Sequence, residues 1–67
     1  MPSTAIHSLA YDTATRELSV TFVSGRRYVY ENVPPVVFTD FKAAESKGTF
    51  FNQSIRDIYR FYEITRP

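Results

Sequence analysis

The segment ELSVTFVSGRRYVYE, residues 17–31, constrains the fold most, because apolar and polar side chains alternate on both sides of a Ser-Gly pair. Alternation with a period of two indicates a β-strand with one buried face. Ser24-Gly25 is typical of the tight turn that joins two antiparallel strands. The segment therefore predicts a β-hairpin with strands over residues 17–23 and 26–31.

The length of the hairpin loop decides which face of the sheet the tyrosines of the second strand occupy. A two-residue loop, Ser24-Gly25, sets Tyr28 opposite Thr21 and places Tyr28 and Tyr30 on the polar face, because directly opposed residues point to the same side. A three-residue loop that starts one residue earlier sets Tyr28 opposite Val20 and places both tyrosines on the apolar face. The longer loop separates apolar from polar residues better and puts glycine where a bulged turn needs it, so we expect this register.

In this register the sequence assigns each residue of the hairpin to one face. Arg26 lies at the hairpin end of the tyrosine face, and Arg27 lies on the opposite face. The opposite face also carries Val23 and Val29, which we expect to be exposed. The expected apolar face comprises Leu18, Val20, Phe22, Tyr28 and Tyr30.

The flanking sequence adds a strand before the hairpin and a helix after it. Residues 4–11 alternate weakly and precede a turn at 12–15, so they extend the hairpin to an antiparallel meander. Pro34 and Pro35 suit the first turn of a helix, and Lys47-Gly48 is a typical helix end. The helix is expected to cover the tyrosines with an apolar stripe formed by Val37, Phe38, Phe41 and Ala44.

The C-terminal part allows two interpretations. Thr49 is a candidate cap for a short helix over residues 50–57. Residues 59–65 have the composition of a strand, but they also continue a helical stripe; we favour a strand that returns to the sheet. The expected fold is α+β: an antiparallel sheet of three to four strands packed by one main helix and a short second helix, as a single domain over residues 1–67.

The composition limits the classes of function. With 67 residues and no cysteine, the core depends on side-chain packing alone, mainly on six Phe and five Tyr. A lone His7 without a cluster of carboxylates gives neither a metal site nor a catalytic group, so we expect no metal, no cofactor and no enzymatic activity. We also expect a cytoplasmic protein with no membrane association, because long apolar runs and a signal-peptide pattern are absent from the sequence.

Several short motifs, in order, resemble a known family. They are Ile6, Tyr11-Asp12, Leu18-x-Val20-x-Phe22, Gly25, Tyr28-x-Tyr30, Val33-Pro34, Ala44-x-Ser46-x-Gly48 and Phe51-Asn52-x-x-Ile55-Arg56. This order resembles the KTSC domain family, a short module found at the C-terminus of some lysyl-tRNA synthetases and as a free-standing protein. The resemblance implies a domain of unknown function, for which RNA binding is suggested by the association with the synthetase.

The arginines suggest how such a module would contact RNA. Arg26, Arg27, Arg56 and Arg60 would cluster if the last strand lies beside the third, and arginine suits phosphate. A net charge of +1 argues against tight non-specific binding to duplex DNA. The tyrosines are more simply explained as core, so the arginines are the stronger candidates for RNA contact.

The alternative function is protein–protein interaction or homodimerisation. An open sheet leaves edge strands that accept a partner strand or a second copy. The valines expected on the polar face would add to such a surface.

Overall fold

The computed structural model describes residues 6–64, which form four strands and two helices. The sheet is antiparallel throughout, and its strands lie in the order of the chain. The α+β class and the return of the chain as a fourth strand are thus confirmed. The elements are β1 (Ile6–Asp12), β2 (Glu17–Phe22), β3 (Arg27–Tyr30), α1 (Pro35–Ala43), α2 (Lys47–Ser54) and β4 (Phe61–Ile64). Of the expected first and last strands, residues 4, 5 and 65 lie outside the described residues.

The register expected for the hairpin is confirmed. Leu18 pairs with Tyr30, and Val20 pairs with Tyr28. The loop closes through the Gly25 amide, which donates to the Phe22 carbonyl at 2.8 Å. Gly25 has a φ of 97°, in the region that favours glycine, so it supplies the left-handed residue that the three-residue loop requires.

The turn between β1 and β2 is also formed as its sequence predicts. The Asp12 carboxylate accepts hydrogen bonds from the amides of Ala14 at 2.9 Å and Thr15 at 3.4 Å. The Arg16 amide donates to the Asp12 carbonyl at 2.7 Å, with Arg16 at a φ of 61°. Asp12 therefore stabilises the turn by accepting hydrogen bonds from the backbone amides of residues 14–16.

The main helix is shorter than expected, and the interpretation of Lys47-Gly48 as its end was wrong. The helix α1 ends at Ala43, and Lys47-Gly48 opens α2. Ser46 caps α2, since its side chain accepts a hydrogen bond from the Thr49 amide at 3.2 Å; the cap is therefore Ser46 and not Thr49. Because α2 starts separately, the chain changes direction between the two helices. Phe50 then stacks on Phe41, with ring centroids 5.1 Å apart.

Both helices cover the same face of the sheet and enclose one core. The fully or almost fully buried residues of this core are Leu18, Val20, Tyr30, Val33, Phe41, Phe51 and Ile55. The expected contact between the tyrosines and the stripe of α1 differs in detail. The rings of Tyr28 and Tyr30 pack against those of Phe22, Phe51 and Phe61, which belong to β2, α2 and β4. In α1, Phe38 stacks instead on Tyr11 of β1, at 5.0 Å.

On the opposite face of the sheet, the side chain of Tyr62 reaches across a neighbouring strand. Tyr62 of β4 donates from its hydroxyl to Glu17 Oε2 of β2 at 3.5 Å, so its side chain crosses the intervening β3. Val29 of β3 is opposite Tyr62 and only 3% exposed. The expectation that Val29 is exposed was therefore wrong, whereas Val23 in the hairpin loop is exposed.

A candidate ligand cleft over the two tyrosines

An open cleft of about 770 Å³ lies where the hairpin loop, the end of α2 and β4 come together. Its size falls within the roughly 300–1,000 Å³ that is typical of small-ligand sites. Five of the residues that line it are aromatic: Phe22, Tyr28, Tyr30, Phe51 and Phe61. The remaining lining residues are Val23, Ser24, Arg26, Asn52, Arg56 and Asp57. We refer to this site as the tyrosine cleft.

The aromatic rings that line the cleft pack against one another. Tyr30, 2% exposed, meets Phe51 edge-on at 5.5 Å. Phe61 packs against Tyr28 at 5.6 Å and against Tyr30 at 5.3 Å. Phe61 is nevertheless 49% exposed, so part of its ring faces solvent. The cleft therefore has a base of closely packed aromatic rings, and Phe61 presents an accessible aromatic surface at its edge.

At the hairpin end, the cleft carries the positive charge of Arg26, which interacts with Tyr28. A side-chain hydrogen bond with Tyr28 raises the pKa of Arg26, and the negative charge of Glu63 adds to this effect. Tyr28 and Glu63 are opposed across β3 and β4, which explains why both act on the same guanidinium. Arg26 is exposed, so its charge remains available to a ligand.

At the opposite end, two charges lie near the Tyr30 hydroxyl. Burial raises the pKa of Tyr30 to about 12, and the neighbouring Tyr28 adds to the rise. Arg56 lowers this pKa and Asp57 raises it, so both charges act on the same hydroxyl. Arg56 and Asp57 thus add a hydrogen-bond donor and a hydrogen-bond acceptor to the lining of the cleft.

The backbone at the end of α2 determines where Arg56 and Asp57 lie. The amides of Ile55 and Arg56 both donate to the Phe51 carbonyl, at 3.0 and 2.9 Å. Asn52 Oδ1 accepts from Arg56 Nη1 at 3.4 Å, which is the contact expected for residues four apart on a helix. Because Ile55 is fully buried, the following two residues are fixed at the edge of the core.

The structure brings together only two of the four arginines singled out in the sequence. Arg26 and Arg56 line the tyrosine cleft. Arg27 donates from Nε to Thr21 Oγ1 at 3.2 Å, on the opposite face of the sheet. Arg60 is exposed just before β4 and does not line the cleft; its carbonyl accepts from the Glu31 amide at 2.8 Å.

Phe61 and Asp57 line the cleft but were not singled out as functional in the sequence. Phe61 reaches the tyrosines only because β4 pairs with β3. Strand alternation indicates that Phe61 and Glu63 share a face, but it does not say which face meets the core. Asp57 follows Arg56 in the turn after α2, and its approach to Tyr30 likewise depends on tertiary packing.

Neither helix within residues 6–64 has the length and apolar character that crossing a bilayer requires. In the same part of the chain, no three His, Cys, Asp or Glu side chains gather in an arrangement suited to a metal ion.

Comparison with known proteins places the chain in a family. The family model described as the KTSC domain matches residues 2–59. The chain belongs to the KTSC domain family. The KTSC match covers β1 to the end of α2, so it includes most of the residues that line the tyrosine cleft.

Relatives of this KTSC domain include free-standing proteins of similar length. A protein of Tsukamurella paurometabola is 43% identical over 58 residues, which are 87% of this chain and 87% of that protein. An uncharacterised protein of Stutzerimonas stutzeri is 40% identical over 65 residues, 96% of this chain and 92% of that protein. A lysine–tRNA ligase of Nostoc punctiforme is 37% identical over 60 residues, which are 90% of this chain but only 11% of the ligase.

A solved structure shares the fold. The crystal structure of a KTSC domain protein from Yersinia pestis superposes with a TM-score of 0.85 at 32% sequence identity. The match covers 97% of this chain and 94% of that chain. The arrangement of four strands and two helices is therefore that of a KTSC domain.

Proposed function

We propose that this KTSC domain is a non-enzymatic module that binds single-stranded RNA at the tyrosine cleft. The observation that carries the proposal is the meeting of Arg26 and Arg56 with the half-exposed Phe61 around one concave site. Proteins that bind single strands pair phosphates with arginine and stack bases on aromatic rings. Arg26 comes from the hairpin loop and Arg56 from the end of α2, so a bound strand would span the cleft between them.

Similarity to a ligase segment supports RNA as the ligand. The match to a lysine–tRNA ligase places a segment like this chain in a protein that is named for a reaction on tRNA. The net charge of +1 and the size of the cleft favour a short single strand over a long duplex, which would need a broad basic surface.

The proposal is tested by the anisotropy of short fluorescent single-stranded RNAs titrated with the protein at several salt concentrations. A phosphate contact made by Arg26 predicts that log K falls with log salt with a slope of about −0.7. Arg26→Ala and Arg56→Ala should each weaken binding, and Arg26→Ala should also remove most of this slope. A duplex of the same sequence should bind more weakly than the single strand.

Arg27→Ala is the matched control, because Arg27 is adjacent to Arg26 but lies on the other face of the sheet. It should leave affinity and salt slope almost unchanged, with circular dichroism confirming that all variants fold. An equal loss of affinity from Arg27→Ala and Arg26→Ala would place the RNA elsewhere and contradict the cleft proposal. Salt-independent binding, or no binding at low salt, would contradict RNA binding through the arginines altogether.

A second candidate function, self-association or binding of another protein, is favoured by β4. This strand forms one edge of the sheet, and its four residues are exposed. Three of them, Phe61, Tyr62 and Ile64, are large and hydrophobic. An edge of this kind can pair with a strand of a second copy or another protein. Sedimentation over a range of concentrations tests the first case: Ile64→Lys should abolish any dimer, and a strict monomer at all concentrations would contradict self-association.

A further inference from the structure

The polar lining of the tyrosine cleft is not that of a simple phosphate site. Asp57 follows Arg56 directly in the chain, and both residues line the cleft, so a carboxylate and a guanidinium share this end of it. A carboxylate repels phosphate, so a site built only to hold phosphate gains nothing from it. An ionised carboxylate accepts hydrogen bonds and donates none. The ligand group that fits beside Arg56 must therefore present donors to Asp57 and an acceptor to the guanidinium.

Among the four RNA bases, this pattern distinguishes guanine. The pairing edge of guanine presents the O6 acceptor followed by two adjacent donors, N1–H and the 2-amino group. A carboxylate can accept from both donors at once, while a guanidinium beside it donates to O6. Uracil has one donor between two carbonyl oxygens, and adenine and cytosine each present one amino group beside an acceptor nitrogen. These bases offer the carboxylate a single hydrogen bond or oppose it with a lone pair.

The aromatic edge of the cleft supplies the stacking surface that a base needs. Phe61 is held on one side by the rings of Tyr28 and Tyr30 and is half exposed. Arg26, at the hairpin end of the cleft, is then free to contact the phosphate of the same nucleotide or the next one. The base edge would contact Asp57 and Arg56, and the plane of the base would stack on Phe61. The phosphate would contact Arg26 within the same cleft.

We propose that the tyrosine cleft binds one unpaired guanosine of a single strand, with Asp57 and Arg56 contacting the base edge and Phe61 stacking on the base. This inference rests on the RNA-binding function proposed above and adds the identity of the base. It predicts that the domain discriminates among single strands of equal length and equal charge.

The test uses the full chain and labelled oligouridine strands that differ in one central nucleotide. The strand with guanosine should bind about tenfold more tightly than strands with adenosine, cytidine or uridine at that position. Inosine, which keeps O6 and N1–H but lacks the 2-amino group, should bind more weakly than guanosine. Guanosine monophosphate should displace the labelled strand at lower concentration than adenosine monophosphate.

The variant Asp57→Asn tests the residue assigned to the base edge. The substitution replaces the two acceptor oxygens of the carboxylate with one acceptor oxygen and one amide donor. It should abolish the preference for guanosine, while the affinity for plain oligouridine stays the same or rises. The matched control is Asp40→Asn on α1, an exposed aspartate outside the cleft, which should keep the full preference.

The outcomes separate this inference from the function on which it rests. If all strands bind with a salt-dependent affinity but guanosine has no advantage, the base assignment is wrong and RNA binding remains. If Asp57→Asn folds and keeps the tenfold preference, Asp57 does not read the base. If no strand binds at low salt, both proposals are wrong. Should Asp57→Asn fail to fold, the comparison of guanosine with inosine on the unmodified protein still decides the base assignment.

Discussion

Tyr30 of β3 stands directly opposite Leu18 of β2, and both side chains are buried in the core. The ring of Tyr30 thus contributes to the stability of the fold, while its hydroxyl lies where Arg56 and Asp57 act on it. Tyr28, two residues earlier, is only partly buried and interacts with Arg26, whose pKa it raises. The Tyr-x-Tyr pair therefore links the core to the tyrosine cleft, and its two ends can be tested separately.

Truncation of Tyr30 should cost far more stability than loss of its hydroxyl. Tyr30→Ala removes a buried ring that meets Phe51 and Phe61, so we expect a loss of about 3–5 kcal/mol in the free energy of unfolding. Tyr28→Ala should cost less, because Tyr28 is partly exposed. Tyr30→Phe keeps the ring and should change stability by about 1 kcal/mol or less. Urea denaturation followed by circular dichroism measures all three, and equal losses for Tyr28→Ala and Tyr30→Ala would contradict the assigned burial.

Gly25 should be required for its conformation and not for lack of space. An added Cβ would meet nothing within 4 Å, but the φ of 97° is unfavourable for any other residue. Gly25→Ala should therefore destabilise the domain by about 1–2 kcal/mol. Gly25→Asn should cost less, because asparagine tolerates positive φ better than alanine does. If alanine and asparagine have the same small effect in thermal melts, the hairpin loop is not held in the three-residue form.

The hairpin was predictable because its information is local. Val20 opposite Tyr28 and the position of Gly25 follow from alternation and turn chemistry within fifteen residues. The boundary between α1 and α2 was not predictable from local sequence, because Lys47-Gly48 fits the pattern of a helix end while Ser46 fits that of a helix start. The choice between them depends on whether Phe50 and Phe51 reach Phe41, which is a tertiary contact.

The cleft was predictable only in part for the same reason. Arg26 and Arg56 were recognised by residue type, but their separation from Arg27 and Arg60 follows from which side of the sheet each occupies. Phe61 contacts the tyrosines through pairing between strands that are thirty residues apart along the chain. Similarly, the pattern places Val29 on the same face as Arg27 and predicts that it is exposed, yet the side chain of Tyr62 crosses its strand.

Ser46 should contribute more to stability than Thr49, although both are exposed hydroxyl residues at the start of α2. The Ser46 side chain accepts from the Thr49 amide, and its hydroxyl donates to Thr49 Oγ1 at 2.9 Å. Ser46→Ala leaves that amide without its cap and should cost about 1 kcal/mol. Thr49→Ala should cost about 0.5 kcal/mol or less, and Ser46→Asp, which retains an acceptor, should be close to the unmodified protein. The reverse order of Ser46→Ala and Thr49→Ala in urea denaturation would show that Thr49 is the cap.

Stability should fall at high pH through the ionisation of Tyr30. Burial raises the pKa of Tyr30 from 10.0 in the unfolded reference to about 12 in the folded domain. Between pH 10 and pH 12 the unfolded chain therefore binds fewer protons at this site than the folded chain, so the free energy of unfolding decreases as the pH rises. Below pH 10 the phenol is protonated in both states and its contribution to stability is fully present.

Tyr30→Phe isolates this effect, because the ring stays and the ionisable group is removed. The variant should lose stability less steeply than the unmodified protein between pH 10 and pH 12, when urea denaturation is repeated across this range. An ultraviolet titration of tyrosinate should also lack the component with a midpoint near 12. Tyr62, whose pKa is raised by burial and by Glu17, provides the comparison: Tyr62→Phe should leave the component near 12 in place. Parallel losses of stability in Tyr30→Phe and the unmodified protein would mean that the Tyr30 hydroxyl is open to solvent, and the buried base of the tyrosine cleft would then be wrong.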